Sequence, residues 1–143
     1  MSEAVYEIVH TVFDYSDGPR GGVADFDGRP HFFECVFDEA EGEWTPVYRL
    51  KPLDEETFRL TLEAWGIWSR WSEAFMKGET DLATHPALPA DRRRHDEISE
   101  VLKPRLAVTD AAAAFEARGE FKVGEPQRPG EPAALLVRWR AVP

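Results

Sequence analysis

The sequence predicts an α+β fold, a mainly antiparallel curled sheet of about six strands packed on one long helix and one shorter helix. Three observations predict it. Segments rich in β-branched and aromatic residues occupy both ends of the chain, and residues 54–78 follow a helical period. A length of 143 residues with 43% hydrophobic content is enough for a buried core. We therefore expect one domain, residues 1–143, whose sheet curls into a half-open barrel.

The N-terminal part of the chain predicts four strands. They are residues 4–15, 23–26, 29–37 and 44–50. Asp27-Gly28 favours a two-residue hairpin, because both central residues of that turn take positive φ. The segment 16–22, Ser-Asp-Gly-Pro-Arg-Gly-Gly, predicts a turn, and the acidic residues 38–43 predict a solvated loop. Both faces of the first strand are partly apolar, which is typical of a strand covered on both sides or of a barrel.

A long helix is predicted over residues 55–77. Asp54 suits the N-cap, since its carboxylate can accept from the first-turn N–H groups. Glu55 and Glu56 then lie where the helix dipole favours negative charge. Gly78 follows the last turn and easily adopts the left-handed conformation that ends a helix.

The apolar arc of this helix is unusually wide, about 200° against the roughly 100° of an ordinary surface helix. Ten apolar residues form it: Phe58, Leu60, Leu62, Ala64, Trp65, Ile67, Trp68, Trp71, Phe75 and Met76. One layer cannot cover such an arc, which leaves two interpretations. Either the sheet and the second helix cover it as core, or Trp68 and Trp71 line a binding surface. Gly66, between Trp65 and Ile67, indicates either that another backbone passes close to the helix or that the helix tolerates a defect that costs roughly 1 kcal/mol relative to Ala.

A second helix is predicted over residues 90–102. Ile98, Val101 and Leu102 share its buried side, and Pro104 is expected to end it, because proline has no N–H to continue the hydrogen-bond ladder.

The C-terminal part predicts a hairpin of strands 114–123 and 134–142. Apolar and charged residues alternate in both segments, and opposite charges are available on their outer faces for cross-strand pairs. The Pro- and Gly-rich residues 124–132 form its loop. Residues 109–119 could alternatively form a short capped helix; the alternation favours the strand.

Composition excludes several function classes. The net charge of −10 opposes binding to nucleic acid or to an anionic membrane, since both demand a basic face. One cysteine precludes an internal disulfide and favours a reducing compartment. No stretch reaches the length of a spanning helix, and the N-terminus lacks the pattern of a secretory signal. We expect a soluble cytoplasmic protein that binds no cofactor.

Few residues suggest chemistry. Cys35 lies between Phe33 and Phe37 on one strand face and is interpreted as a small core residue. His31 and Glu34 fall on opposite faces of a strand and cannot share a metal ion. Other pairings, such as Asp91 with His95 and the acidic loop 38–43, are more simply solvated surface. No metal site is predicted.

The strongest small-molecule candidate is a rim formed by Asp17, Arg20 and His31. The glycines around Arg20 would let backbone N–H groups turn outward, and its guanidinium could hold a carboxylate or phosphate. His31 would act as acid or base. This site requires the three residues to converge in space.

Two functions follow. The favoured hypothesis is a non-catalytic binding module that uses Trp68 and Trp71, with acidic charge steering a basic protein partner, or that forms a homodimer. The alternative is a small protein or enzyme that binds an anionic ligand at the rim of Asp17, Arg20 and His31. No catalytic motif supports an enzyme.

Overall fold

The computed structural model describes residues 5–107, 114–125, 129 and 134–142. Within them, six antiparallel strands form a closed barrel and two α-helices follow the fourth strand, which confirms the predicted α+β class. The strands are β1 (Glu7–Tyr15), β2 (Pro19–Phe26), β3 (Arg29–Asp38), β4 (Glu43–Pro52), β5 (Phe115–Val123) and β6 (Leu135–Ala141). The helices are α1 (Glu55–Met76) and α2 (Arg92–Arg105).

The chain divides into two compact units. Met1–Leu53 and Val108–Pro143 form the barrel unit, and Asp54–Ala107 form the helical unit. The prediction of a single domain over residues 1–143 stays a prediction. Within the described residues, no helix combines the length and the apolar character needed to cross a membrane.

The sheet closes where β1 pairs with β6. Glu7 lies opposite Val137 and Ile8 opposite Leu136, so the sheet forms a full barrel rather than the expected half-open one. Closure satisfies the backbone groups that two edge strands would leave unpaired.

The predicted turn 16–22 is wrong over its second half, because β2 begins at Pro19 and not at residue 23. Gly22 explains the difference. It pairs with Val12 of β1 and Phe33 of β3, and a Cβ at Gly22 would lie 2.1 Å from the carbonyl oxygen of Thr11. Glycine is needed here because two strands approach closely. In the sequence, the same residue was interpreted as part of a turn.

The predicted Asp27-Gly28 hairpin turn is confirmed. Both residues have positive φ, 54° and 76°, as a tight hairpin with right-handed strand twist requires. Other predicted bounds shift by one to three residues. Residue 4, residues 109–113 of the alternative helix 109–119 and most of the 124–132 loop lie outside the described residues, and residues 115–119 of that alternative helix belong to β5.

Aromatic side chains fill the barrel. Phe33, Tyr48 and Trp139 are buried, and their rings meet edge-on or tilted at centroid distances of 5.7–6.2 Å. The Trp139 indole N–H donates to the carbonyl oxygen of Asp25 at 2.8 Å. Alternating positions on six strands point inward, so the interior is packed with side chains.

In the helical unit, α1 begins at Glu55 as predicted and ends at Met76, one residue before its predicted end. The Asp54 carboxylate accepts from the Thr57 N–H at 2.7 Å, and Gly78 has φ 74° just past the helix. The core of this unit contains Ile67 of α1 with Ala87, Ile98 and Leu102.

Two details of α2 correct the prediction. Pro104 lies inside the helix, which continues to Arg105, because a proline in the last turn removes only one hydrogen bond near the end of the ladder. Val101, predicted to be buried, is exposed, whereas Ile98 and Leu102 are buried as expected.

Two arginine–carboxylate pairs join the elements of the helical unit. Arg94 of α2 holds Glu63 of α1 with two hydrogen bonds of 2.6 and 2.8 Å. Arg70 of α1 holds Asp91, the residue before α2, at 2.9 and 3.0 Å. Both pairs are bidentate, which is the geometry in which such pairs orient their partners best.

Candidate functional site

The two tryptophans predicted to form a binding surface differ in burial: Trp71 is buried and Trp68 is exposed. Trp71 is 5% exposed, and its indole N–H donates to the Thr84 hydroxyl at 2.8 Å. Its ring stacks on Phe75 and meets His85 edge-on, with centroid distances of 5.1 and 4.6 Å. Trp71 is therefore a core residue of the helical unit with its polar atom satisfied.

Trp68 is 37% exposed and is accompanied on α1 by three further exposed apolar side chains. We name this set the α1 apolar surface: Leu62, Trp68, Phe75 and Met76. At 100° per residue the four span about 140° of the helix. The Trp68 ring stacks on Trp65 at 5.1 Å with an interplanar angle of 19°, which holds it in one orientation.

Among the described residues, no backbone outside α1 lies within 4 Å of a Cβ built at Gly66, so the interpretation as a close backbone approach is wrong and that of a tolerated helix defect remains. Apart from the backbone of α1 itself, the nearest described atom to a Cβ built there is the Arg70 guanidinium nitrogen at 3.6 Å. The glycine is a weak helix position and gives no sign of a partner element.

Asp17 and Arg20, the first two residues of the predicted rim, do come together. The Arg20 guanidinium donates to the carbonyl oxygens of Asp17 and Ser16 at 2.6 and 2.7 Å. It also lies 4.9 Å from the ring centroid of Trp44 and 3.6 Å from the Cys35 sulfur. Arg20 thus closes its own turn onto the barrel, which engages much of its donor capacity.

His31 does not join them. It lies opposite Ala24, four residues along β2 from Arg20, a separation of ~13 Å along the strand. Its Nδ1 is 2.8 Å from the Arg29 carbonyl oxygen, and its ring packs between Phe26 and Phe115. The structure therefore unites Asp17 with Arg20 and leaves His31 in a separate aromatic environment.

Cys35 is buried as expected. Its thiol is 3.1 Å from the Thr45 carbonyl oxygen. Nearby, the Tyr48 hydroxyl donates to the Pro19 carbonyl oxygen at 2.9 Å. Burial, with the Cys35 thiol as a further cause, raises the pKa of Tyr48 above its ordinary value, so Tyr48 is a neutral donor at physiological pH.

One polar pair escaped the sequence analysis. His10 Nε2 lies 2.8 Å from the Asp25 carboxylate, and both side chains are about one-fifth exposed. A carboxylate that orients an imidazole is one part of an acid–base apparatus. The two residues are fifteen positions apart on β1 and β2, so their proximity could have been predicted only from the register of the two strands.

Salt bridges lower the pKa values of two acidic groups in the helical unit. The hydrogen bonds from Arg94 lower the pKa of Glu63, and those from Arg70 lower the pKa of Asp91. Both carboxylates are therefore committed as anions to structure. Among the described residues, no group of three or more His, Cys, Asp or Glu side chains could hold a metal ion.

Comparison of the chain with protein-family models, with curated proteins and with solved structures finds no match.

Proposed function

We propose that this chain is a non-catalytic interaction module that binds a basic protein through the α1 apolar surface. One observation carries the proposal: four large apolar side chains of one helix are exposed to solvent. Burying such a side chain fully is worth about 1.5–3 kcal/mol. Leu62, Trp68 and Phe75 are 37–38% exposed and Met76 is 82% exposed, so a partner that covers the surface would gain about 0.5–1 kcal/mol from each of the first three and more from Met76.

Trp68 is the expected anchor of the interface. Tryptophan is enriched among the residues that dominate binding energies. Its stack on Trp65 holds the ring in place before binding, so less conformational entropy is lost when a partner covers it.

Charge supports a basic partner. The whole chain carries −10, and residues 54–107 contain eleven acidic and eight basic side chains. A negative field raises the encounter rate with a positively charged protein and disfavours acidic competitors.

Site-specific photo-crosslinking tests the surface in the intact chain. A photoreactive phenylalanine analogue replaces Trp68 in one variant and Arg59, an exposed residue outside the apolar surface, in the control. We expect an adduct with a basic protein from position 68 and none from position 59. A second copy of this chain in the adduct would identify a homodimer instead, and equal labelling from both positions would contradict the proposal.

Affinity for the captured partner then tests the anchor. We expect Trp68→Ala to weaken binding at least tenfold while costing much less stability than the loss of a buried ring, because the side chain is 37% exposed. Trp71→Ala is the matched control: it removes a buried ring and should cost about 3–5 kcal/mol of stability. Unchanged affinity in a folded Trp68→Ala variant would exclude this surface.

A further inference from the structure

The outer face of the β5–β6 hairpin has a charge opposite to that of the whole chain. Even-numbered residues of both strands share this face, since neighbours two apart in a strand lie on the same side. They include Arg118, Lys122, Arg138 and Arg140 against Glu116 and Glu120. Glu116 is paired with Arg49 of β4 at 3.7 Å. Glu120 is therefore the carboxylate that remains to balance the four cations of this face.

Glu120 is already shared between two of these cations. Arg138, its cross-strand neighbour, donates to it through Nε at 3.2 Å, and Arg140 Nε lies 3.2 Å from its other oxygen. The hydrogen bonds from Arg138 are the main cause of a lowered pKa of Glu120. Its capacity to neutralise a further cation is correspondingly small.

Arg118 lies directly opposite Arg140 in the β5–β6 register. Directly opposed side chains are ~5 Å apart at Cβ, and like charges there destabilise a sheet. Within the described part of the chain, the Arg118 guanidinium makes no hydrogen bond or ion pair, although its charge acts on Glu120. The sequence predicted opposite charges across this hairpin; the pair Glu120–Arg138 fulfils that, and Arg118–Arg140 reverses it.

We propose that Arg118 and Arg140 bind a carboxylate of an acidic protein segment, with Arg138 and Lys122 extending the binding face. Arg118 presents a whole guanidinium, and Arg140 keeps its two terminal nitrogens beyond the Nε that faces Glu120. Two adjacent forks match the planar, two-oxygen geometry of a carboxylate. A like-charge pair that lowers stability is typical of a functional site.

A peptide fits this face better than a nucleic acid. The aromatic ring of Tyr6 lies 3.9 Å from the Lys122 ammonium and 5.0 Å from the Arg138 guanidinium. Both cations lie over the ring that a stacking base would need. The net charge of −10 also repels a long polyanion along its length. Salt screens a short acidic segment from those charges of the chain that lie more than about 8–10 Å away.

Titration of the full chain with a fluorescent oligo-glutamate peptide tests the proposal. The double variant Arg118→Gln, Arg140→Gln should weaken binding at least tenfold, and rising salt should weaken binding to the wild-type chain. The control Arg93→Gln, Arg59→Gln changes the net charge equally at two exposed arginines of the helical unit and should leave the affinity unchanged. Equal losses in both double variants would show a non-specific charge effect and overturn the site.

Stability distinguishes a binding role from a structural one. Arg118→Gln alone relieves the repulsion and should raise Tm while it weakens peptide binding. A lowered Tm would show that Arg118 stabilises the hairpin and would contradict the proposal. Absence of peptide binding would overturn it as well, and tighter binding of a single-stranded oligonucleotide through the same arginines would replace the acidic segment by a nucleic acid. None of these outcomes depends on Trp68, so this site and the α1 apolar surface fail separately.

Discussion

The barrel interior buries a cluster of aromatic rings, although Phe13, Tyr15 and Phe37 on its strands are exposed, whereas the helical unit leaves Trp68 and Phe75 of α1 partly in solvent. In the barrel, alternate positions of six strands converge on one axis, so rings such as Phe33 and Trp139 contact one another from several sides. In the helical unit, two helices and short connecting turns cover one side of α1, and Trp68 stays partly exposed. A closed sheet covers the apolar side chains on its inner face by itself. A pair of helices cannot cover an apolar arc of about 200° on one of them.

The polar interactions of the two units differ in the same sense. In the barrel interior, the Tyr48 hydroxyl and the Trp139 indole N–H donate to backbone carbonyl oxygens. The helices are instead joined at their surface by Arg94–Glu63 and Arg70–Asp91. Salt and acid should therefore weaken the contacts between α1 and α2, since surface pairs are screened and titrate.

The largest expected contrast compares two glycines. Gly22→Ala places a Cβ against the Thr11 backbone and should destabilise the barrel by about 3 kcal/mol or more, because backbone cannot yield cheaply. Gly66→Ala in α1 has room and should stabilise by about 0.5–1 kcal/mol. Chemical denaturation of both variants measures the difference, and a tolerated Gly22→Ala would show that β1 and β2 do not approach as described.

An intermediate effect is expected at alkaline pH. Burial raises the pKa of Tyr48 above its ordinary 10.0, so in the window above pH 10 the unfolded chain has lost a proton that the folded chain keeps. Stability is then full below pH 10 and falls by up to ~1.4 kcal/mol per pH unit as pH rises. Tyr48→Phe should flatten this dependence in urea titrations, and an equal slope in both proteins would contradict a buried, neutral hydroxyl.

The smallest effect concerns the helix pair at acid pH. Arg94 lowers the pKa of Glu63 below its ordinary 4.5, so the pair contributes stability above that pH and loses it as pH falls through the lowered value. Both side chains are nearly half exposed, which limits the coupling to about 0.2–1 kcal/mol. A double-mutant cycle of Arg94→Ala and Glu63→Ala at neutral and acid pH measures it, with Arg59–Glu55, a more exposed pair, as control. Coupling that persists in acid would exclude a carboxylate pair as its source.

Much of the fold was predictable because the signals were local. Asp54 and Gly78 mark the ends of α1 by capping chemistry that needs no tertiary context, and Asp27-Gly28 marks its hairpin by backbone conformation alone. The failures came where tertiary contacts override a local rule. Gly22 signals a turn in sequence but lies at a close approach of two strands in the structure, and α2 continues through Pro104 to Arg105, three residues beyond its predicted end at residue 102.

The candidate site was less predictable than the fold. Periodicity identified the wide apolar arc of α1 but could not show which of its residues are buried and which are exposed. Trp68 and Trp71 differ by three positions and both lie in the same apolar sector. The predicted rim failed to converge for a similar reason: Arg20 and His31 belong to neighbouring strands, but register places them four residues apart. The Arg118–Arg140 and His10–Asp25 pairs depend on register alone and had no sequence motif.

By itself, the sequence determined the elements of this protein: the capped helix, the hairpin turn, the period-two strands and a strongly negative charge. Each depends on residues within a few positions of one another, where backbone propensity and side-chain capping act. Only the tertiary structure decided that β1 meets β6, that Trp71 is core while Trp68 is exposed, and that two arginines oppose each other across a hairpin. Those outcomes depend on strand register and on which side of a helix is covered, and both are set by packing between distant parts of the chain.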